Sequence, residues 1–216
     1  MPPSRPSLVI VTDRRLVTPA ALRTRLTAML DALPAGAAVV QVREKDLDGR
    51  ALFALVTDVV AIARPRGYRV LVNDRLDVAL AAGADGVHLP ESGLDVRDAR
   101  RIAALAGHPQ ILVGISRHDP GSSARGAHDG ADLVVLGPIW STPSKVGYGA
   151  PLGEPALTDA RSRMPASAIL VAIGGIDSAE RADEARRAGA DAVAAIRALW
   201  TADDSGAAAR ALAGLP

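Results

Sequence analysis

The chain carries 25 basic side chains, and only two of them, Lys45 and Lys145, are lysines. Asparagine occurs once, at Asn73, and glutamine twice, at Gln41 and Gln110. In a sequence that so strongly favours arginine, a lysine marks a place where a compact ammonium with rotatable donors is wanted rather than a planar fork. Lys45 closes the stretch Gln41-x-Arg43-x-Lys45. Residues two apart on an extended chain share a side, so an amide and two cations would face one ligand, and a polyanion such as pyrophosphate suits them. A solvated charged loop is the bland alternative. Asn73-Asp74 offers a carboxylate for Mg²⁺, a hard cation that prefers oxygen ligands and phosphates. Asp74 could equally cap the helix that follows, and the two roles are compatible. Ala172-Ile173-Gly174-Gly175-Ile176-Asp177 leaves backbone N–H groups open shortly before a helix, which is how phosphate is cradled; a plain glycine turn is the competing reading. His118, just past Gly114-Ile115-Ser116, has the type and place for acid–base work. His88 reads as a core or rim residue, and His108 and His128 as structural residues at helix ends.

These residues need a scaffold that brings them together. Short apolar runs without alternation lie near Leu8–Val11, Ala37–Val42, Val70–Val72, Gly86–Leu89, Ile111–Val113, Leu133–Leu136, Ala168–Ile173 and Ala192–Ala195. Such runs fit strands covered on both faces. Between them lie helical patterns at about 19–33, 47–63, 75–82, 95–106, 120–129, 154–163, 178–188 and 200–213. Gly-Ala-Asp followed by an apolar run recurs at 83–85, 130–132 and 189–191, each time reading as a helix ended by glycine, a tight turn and a buried strand. Strand–helix units repeated in this way predict an α/β fold, a single-domain (β/α)₈ TIM barrel over residues 1–216, with 1–7 as a flexible N-terminus. The rival is an open doubly wound sheet. No Gly-x-Gly-x-x-Gly follows the first strand, so a dinucleotide site has no support. In such a barrel the active site sits at the C-terminal ends of the strands. Gln41, Arg43, Lys45, Asn73, Asp74, His88, Ser116, His118, Lys145, Gly174, Gly175 and Arg197 all follow strands and converge on that rim. The longest irregular stretch, Trp140–Gly153, reads as a binding loop or lid.

Composition narrows the classes. Hydrophobic residues are 49% and charged residues 23%, as in ordinary globular domains. The net charge of +1 gives no reason to expect nucleic-acid or polybasic membrane binding. With no cysteine, thiolate metal sites and a cysteine nucleophile are excluded. No apolar run reaches the roughly 18 residues of a membrane span, and Met1–Ser7 lacks a signal-peptide core. A cytoplasmic protein is expected, and a homo-oligomer is left open.

The ordered set of motifs resembles the thiamine phosphate synthase/TenI-type thiazole tautomerase family. The resemblance rests on Val11-Thr12-Asp13, Gln41-Val42-Arg43-Glu44-Lys45, Val72-Asn73-Asp74, Gly83 to Leu89, Gly114 to His118, Gly137 to Lys145 and Ile173-Gly174-Gly175-Ile176, and it spans residues 11 to about 197. It implies a synthase that joins hydroxymethylpyrimidine pyrophosphate to thiazole phosphate and releases pyrophosphate. By resemblance, Gln41, Arg43, Lys45 and Asn73 hold the pyrimidine pyrophosphate, Ser116 and Lys145 also contact it, and Asp74 binds Mg²⁺. Thr142, Pro143, Ser144, Gly174, Gly175 and the backbone at Ile196–Arg197 take the thiazole phosphate. Lys45, Ser116, His118 and Lys145 are the expected catalytic set. Two departures stand out. Gly93 occupies the place of the synthase's usual second metal aspartate, which leaves Glu91 as the nearest substitute. Arg197 replaces a usual serine. The His88-Leu89-Pro90 wording resembles the tautomerase branch, where His118 fits an acid–base role. That isomerisation of a carboxylated thiazole phosphate is the alternative activity, and a non-catalytic thiazole-phosphate-binding relative is the second alternative.

Overall fold

A computed structural model describes residues 5–141 and 150–216. Eight parallel strands close into one barrel in sequence order. They are β1 (Leu8–Val11), β2 (Ala38–Val42), β3 (Arg69–Asn73), β4 (Gly86–Leu89), β5 (Leu112–Arg117), β6 (Leu133–Leu136), β7 (Ile169–Ile173) and β8 (Ala192–Ala195). The surrounding helices are α1 (Pro19–Asp31), α2 (Gly49–Ala63), α3 (Leu76–Ala81), α4 (Val96–Leu105), α5 (Pro120–His128), α6 (Pro155–Arg163), α7 (Ala179–Arg187), α8 (Arg197–Trp200) and α9 (Ser205–Ala213). The open sheet is thereby set aside: β1 pairs with both β2 and β8. No described helix is long and apolar enough to cross a membrane.

Helix starts follow local chemistry. Thr18, Asp48, Asp119, Ser178 and Asp204 each accept a hydrogen bond from a backbone N–H in the first turn of α1, α2, α5, α7 and α9. These satisfy donors that the helix itself cannot pair. Proline at the first position of α1 and α5 loses nothing, since that N–H has no helical partner. The buried side chains form two groups. A large one lies between strands and helices, and a smaller one fills the barrel with Val9, Val11, Val39, Leu71, Leu133, Val135, Val171, Ala192 and Ala194.

The Gly-Ala-Asp repeat has a structural cause that spacing alone does not reveal. Asp85 accepts the Val70 N–H at 2.8 Å, Asp132 the Val113 N–H at 2.8 Å, and Asp191 the Leu170 N–H at 2.9 Å. In each case the aspartate before one strand pairs with an amide at the start of the preceding strand. Two of the three are reinforced by arginine: Arg100 reaches Asp132 at 2.8 Å and Arg161 reaches Asp191 at 2.9 Å. Asp191 also pairs with Arg5 at 3.2 Å, and the Ser7 N–H donates to Ala37 O at 2.9 Å. Arg5 to Ser7, expected within a flexible terminus, are thus bonded to the barrel.

Two elements differ from their expected bounds by more than a residue or two. β5 continues past Val113 to Arg117, because β6 pairs with it as far as Ser116↔Val135 and Arg117↔Leu136. The final helix is divided into α8 and α9, with Asp204 starting the second. Trp200, fully buried, donates its indole N–H to Val11 O at 2.7 Å and so ties α8 to the end of β1.

Asp85→Ala leaves the Val70 amide without its side-chain acceptor and should lower unfolding free energy by about 1–3 kcal/mol in urea titration. Asp85→Asn, which keeps a carbonyl acceptor, should lose clearly less.

Candidate active site

Alternation along the strands decides which residues meet inside the barrel. In β2, Val39 faces the interior with the apolar group, and Gln41 and then Arg43 continue its parity. Leu71 does the same for Asn73 in β3. Register places Asn73 beside His88, His88 beside Gly114, and Ser116 one step further along β5. The barrel therefore changes from apolar to polar toward its C-terminal end. Gln41 is 5% exposed and His88 3%. Gln41 Nε2 donates to Asn73 Oδ1 at 3.4 Å, and His88 Nε2 lies 2.8 Å from Ser116 Oγ. Burial, aided by the positive charges of Arg43 and Arg117, pushes the His88 imidazole down to about 3, so it is neutral at physiological pH.

The cationic stretch is held from behind by a buried carboxylate. Glu44, between Arg43 and Lys45, points away from the barrel mouth and is 5% exposed. It accepts the Arg14 N–H at 3.1 and 3.2 Å, and Thr12 donates to it. Thr12 Oγ1 in turn accepts the Arg43 N–H at 2.9 Å. The end of β1 thus clamps the end of β2. Desolvation pushes the Glu44 carboxyl up, against the opposing pull of its Thr12 and Arg14 hydrogen bonds. Among the described residues, the Arg43 guanidinium and the exposed Lys45 ammonium have no hydrogen-bond or ion-pair partner.

Asp74 sits in the left-handed region at φ 65°, which aspartate tolerates better than most residues. Its N–H donates to His88 O at 2.8 Å. The helix-capping reading of Asp74 is corrected: the residue before α3 is Arg75, and that helix has no side-chain cap. The Asp74 carboxylate has no hydrogen-bond or ion-pair partner among the described residues, though its charge acts on the neighbouring Arg75. A Cβ at position 93 would lie 3.2 Å from Asp74 Oδ1, so a side chain there would face that carboxylate, and Gly93 supplies none. Glu91 turns instead toward His118, Oε2 to Nε2 3.7 Å. His118 Nδ1 is hydrogen-bonded to Gly137 O. No group of three metal-ligating carboxylate, imidazole or thiolate side chains forms among the described residues.

Across the mouth, the glycine pair after β7 is obligatory. Gly174 (φ 97°) and Gly175 (φ 71°) both occupy backbone conformations that disfavour side chains. A Cβ on either would come within 2.6 Å of Pro138 or Trp140. Their amides donate to nothing among the described residues, whereas Gly174 O accepts from Trp140 N at 3.1 Å. Trp140 is stacked beneath Arg181 of α7, 4.8 Å from guanidinium to ring. Ile196 lies just beyond β8, and the exposed Arg197 opens α8. Thr142, Pro143, Ser144 and Lys145 lie outside the described residues. At the opposite, N-terminal mouth a cavity of about 200 Å³ is lined mostly by apolar groups, including Pro6, Val39, Leu133 and Ile169, with Arg69 as its charged residue. It offers none of the chemistry gathered at the other end.

The thiamine monophosphate synthase profile matches residues 8–199. The chain belongs to the thiamine monophosphate synthase family. It is 43% identical to the thiamine-phosphate synthase of Methanoculleus marisnigri, over 95% of this chain and 92% of that one. It is 40% identical to the Chloroflexus aurantiacus thiamine-phosphate synthase, over 96% and 91%. A putative thiamine-phosphate synthase of Geobacter sulfurreducens is 41% identical over 97% and 93%. Among solved structures, the thiamine phosphate pyrophosphorylase of Pyrococcus furiosus superposes with a TM-score of 0.79 at 29% identity, covering 95% of this chain and 93% of that one. Membership in the synthase family accounts for the barrel and for the order of the motifs along it.

Sequence reasoning picked out the inward polar residues but missed what supports them. Glu44 was visible as a carboxylate flanked by two cations, a pattern with no use unless the carboxylate faces elsewhere. The His88–Ser116 pair needs the β4–β5 register, which no local spacing supplies.

Glu44 also gives the synthase-family barrel a pH signature. Its folded pKa is raised, so its charged form weakens the fold, and that term is felt as pH rises through the folded pKa. Glu44→Gln lacks the term. The stability advantage of the parent over Glu44→Gln should therefore be largest below the usual carboxylate range and shrink as pH rises. Urea titrations of both proteins from about pH 3 to about pH 8 read this out.

Proposed function

We propose that this chain is a thiamine-phosphate synthase that joins hydroxymethylpyrimidine pyrophosphate to thiazole phosphate and releases pyrophosphate. The observation that carries the reading is the single polar end of the barrel: Gln41 bonded to Asn73 inside, with the unpaired cations Arg43 and Lys45 following on the same rim. The named relatives, about as long as this chain and alike over nearly all of it, support it.

In this reading the bond from the pyrimidine methylene to the pyrophosphate oxygen breaks first. Its electron pair leaves with pyrophosphate, and the thiazole nitrogen then donates its lone pair to the methylene carbon. No proton need move. The task of the protein is to stabilise negative charge on the leaving group and to hold the two reactants in line. Arg43 and Lys45 meet the growing charge, and Gln41 and Asn73 orient the pyrimidine substrate. Ser116 contacts it from β5, and Lys145 joins from the loop after β6. The free amides of Gly174 and Gly175, the backbone at Ile196–Arg197, and Thr142 to Ser144 take the thiazole phosphate.

The donor set fits Mg²⁺ in one form. Mg²⁺ commonly uses one or two carboxylates, with substrate phosphates and water filling the other positions. Asp74, unpartnered and held at the rim by its bond to His88 O, is that carboxylate. Gly93 leaves the second place without a side chain, and Glu91 is engaged with His118. When bound, the ion would neutralise charge on the pyrophosphate. The reading places the chain in the cytoplasm alongside other biosynthetic enzymes.

One observation favours a second activity at the same site. His118 has one ring nitrogen on the Gly137 carbonyl and the other facing Glu91, an arrangement suited to moving a proton. That is the chemistry of the thiazole tautomerase.

The deciding experiment incubates the protein with both substrates, with and without Mg²⁺, beside an active synthase. Mg²⁺-dependent thiamine phosphate supports the reading. No product, with turnover of the carboxythiazole phosphate, moves the activity to the tautomerase, and binding of thiazole phosphate without any turnover leaves a binding protein. Lys45→Ala and Asp74→Asn should each lower kcat/KM about a hundredfold or more. Both residues are exposed, so unfolding free energy should change by less than about 0.5 kcal/mol. Gly93→Asp should lower the Mg²⁺ concentration needed for half-maximal rate.

A further inference from the structure

We propose that His88 is a positioning residue for Ser116, holding its hydroxyl through Nε2–H so that the Ser116 hydrogen is free to point at the phosphate-bearing substrate, and that Gly114 is the space that allows it. The inference rests on the synthase reading for its consequence and on local geometry for its substance.

Three observations carry it. His88 Nε2 and Ser116 Oγ are 2.8 Å apart, a full hydrogen bond between two residues on neighbouring strands. The imidazole is 3% exposed on a strand paired on both sides. Gly114, its register partner on β5, lies directly against the ring. A Cβ on Gly114 would stand 2.6 Å from Nδ1, yet 3.4 and 3.5 Å from the flanking carbons Cγ and Cε1. A point with those three distances lies outward from Nδ1 but about 1.5 Å to one side of the ring plane. In glycine a Cα hydrogen takes that direction. Nδ1 therefore has a C–H group beside it, and no hydrogen bond to a described residue.

This fixes the tautomer. A neutral imidazole has one N–H and one lone pair, and of the two ring nitrogens of His88 only Nε2 has a hydrogen-bond partner among the described residues. An N–H on Nδ1 would have no acceptor among the described residues, whereas an N–H on Nε2 has Ser116 Oγ at hydrogen-bond distance. The hydrogen thus belongs on Nε2, where Ser116 Oγ accepts it. The Ser116 hydroxyl hydrogen is then not consumed by the histidine. It remains available for an anionic oxygen, which is the contact a departing pyrophosphate needs. The opposite tautomer would take that hydrogen and turn serine lone pairs toward the anion.

The test has two arms. In ligand-free parent protein labelled with ¹⁵N-histidine, the His88 ring should show its proton on Nε2 with Nδ1 unprotonated; a proton on Nδ1 overturns the proposal whatever the enzyme does. The second arm is a double-mutant cycle in kcat/KM. His88→Leu and Ser116→Ala should each cost about tenfold to a hundredfold. The double variant should be no worse than Ser116→Ala alone, and His88→Gln, whose amide reaches the Nε2 position, should recover part of the loss. Losses that multiply in the double variant show a merely structural role and overturn the proposal. If the parent forms no thiamine phosphate, the synthase reading fails, and the cycle is then read on binding of inorganic pyrophosphate with Mg²⁺. The tautomer arm decides the positioning claim independently.

Discussion

A closed ring of parallel strands can aim a side chain at its axis only at every second residue. That constraint organises this protein. Apolar residues take the inward positions at one end and fill them. Toward the other end the same parity delivers Gln41, Asn73, His88 and Ser116 to a shared space, although they come from four different strands. Nothing about their sequence separation matters there. Register does, because a slip of one residue in β3 or β5 would turn Asn73 or Ser116 toward the helices.

The charge arrangement at the rim follows a division of labour. Glu44, Asp77 and Asp119 are engaged with the protein itself, through backbone amides, arginine or serine. The charged groups of Arg43, Lys45 and Asp74 have no hydrogen-bond or ion-pair partner among the described residues. Water solvates an exposed cation, so the absence of a protein partner leaves the two cations open to an anion without requiring one. The Asp74 carboxylate follows β3 at a backbone angle that most residues avoid.

Much of the fold was legible in the sequence because strands buried on both faces read as plain apolar runs. β1, β4, β6 and β8 match their runs at both ends. β5 was cut short because Gly114-Ile115-Ser116-Arg117 is not apolar; the pairing with β6 keeps it extended, and pairing is a tertiary fact. The Gly-Ala-Asp repeat was legible as a turn, but its aspartates act on amides 15 to 21 residues earlier, beyond the reach of local pattern. In the site, residue type and strand-end position picked out Gln41 and Asn73, which the strands turn inward and which bond to each other. The supports, Glu44 behind the cations and His88 behind Ser116, carry no signal of scarcity or spacing. They become visible only when burial and partners are known.

The aspartates at strand starts have a wider consequence. The bonds of Asp85, Asp132 and Asp191 lie at the end of the barrel opposite the chemistry. What holds the molecule together and what confers its selectivity are therefore encoded in separate sets of residues about one strand-length apart. Mutation can reshape the rim without loosening the frame. A barrel built in this way is a durable chassis, on which lineages can exchange one small-molecule chemistry for another while the strand order and its anchoring carboxylates stay the same.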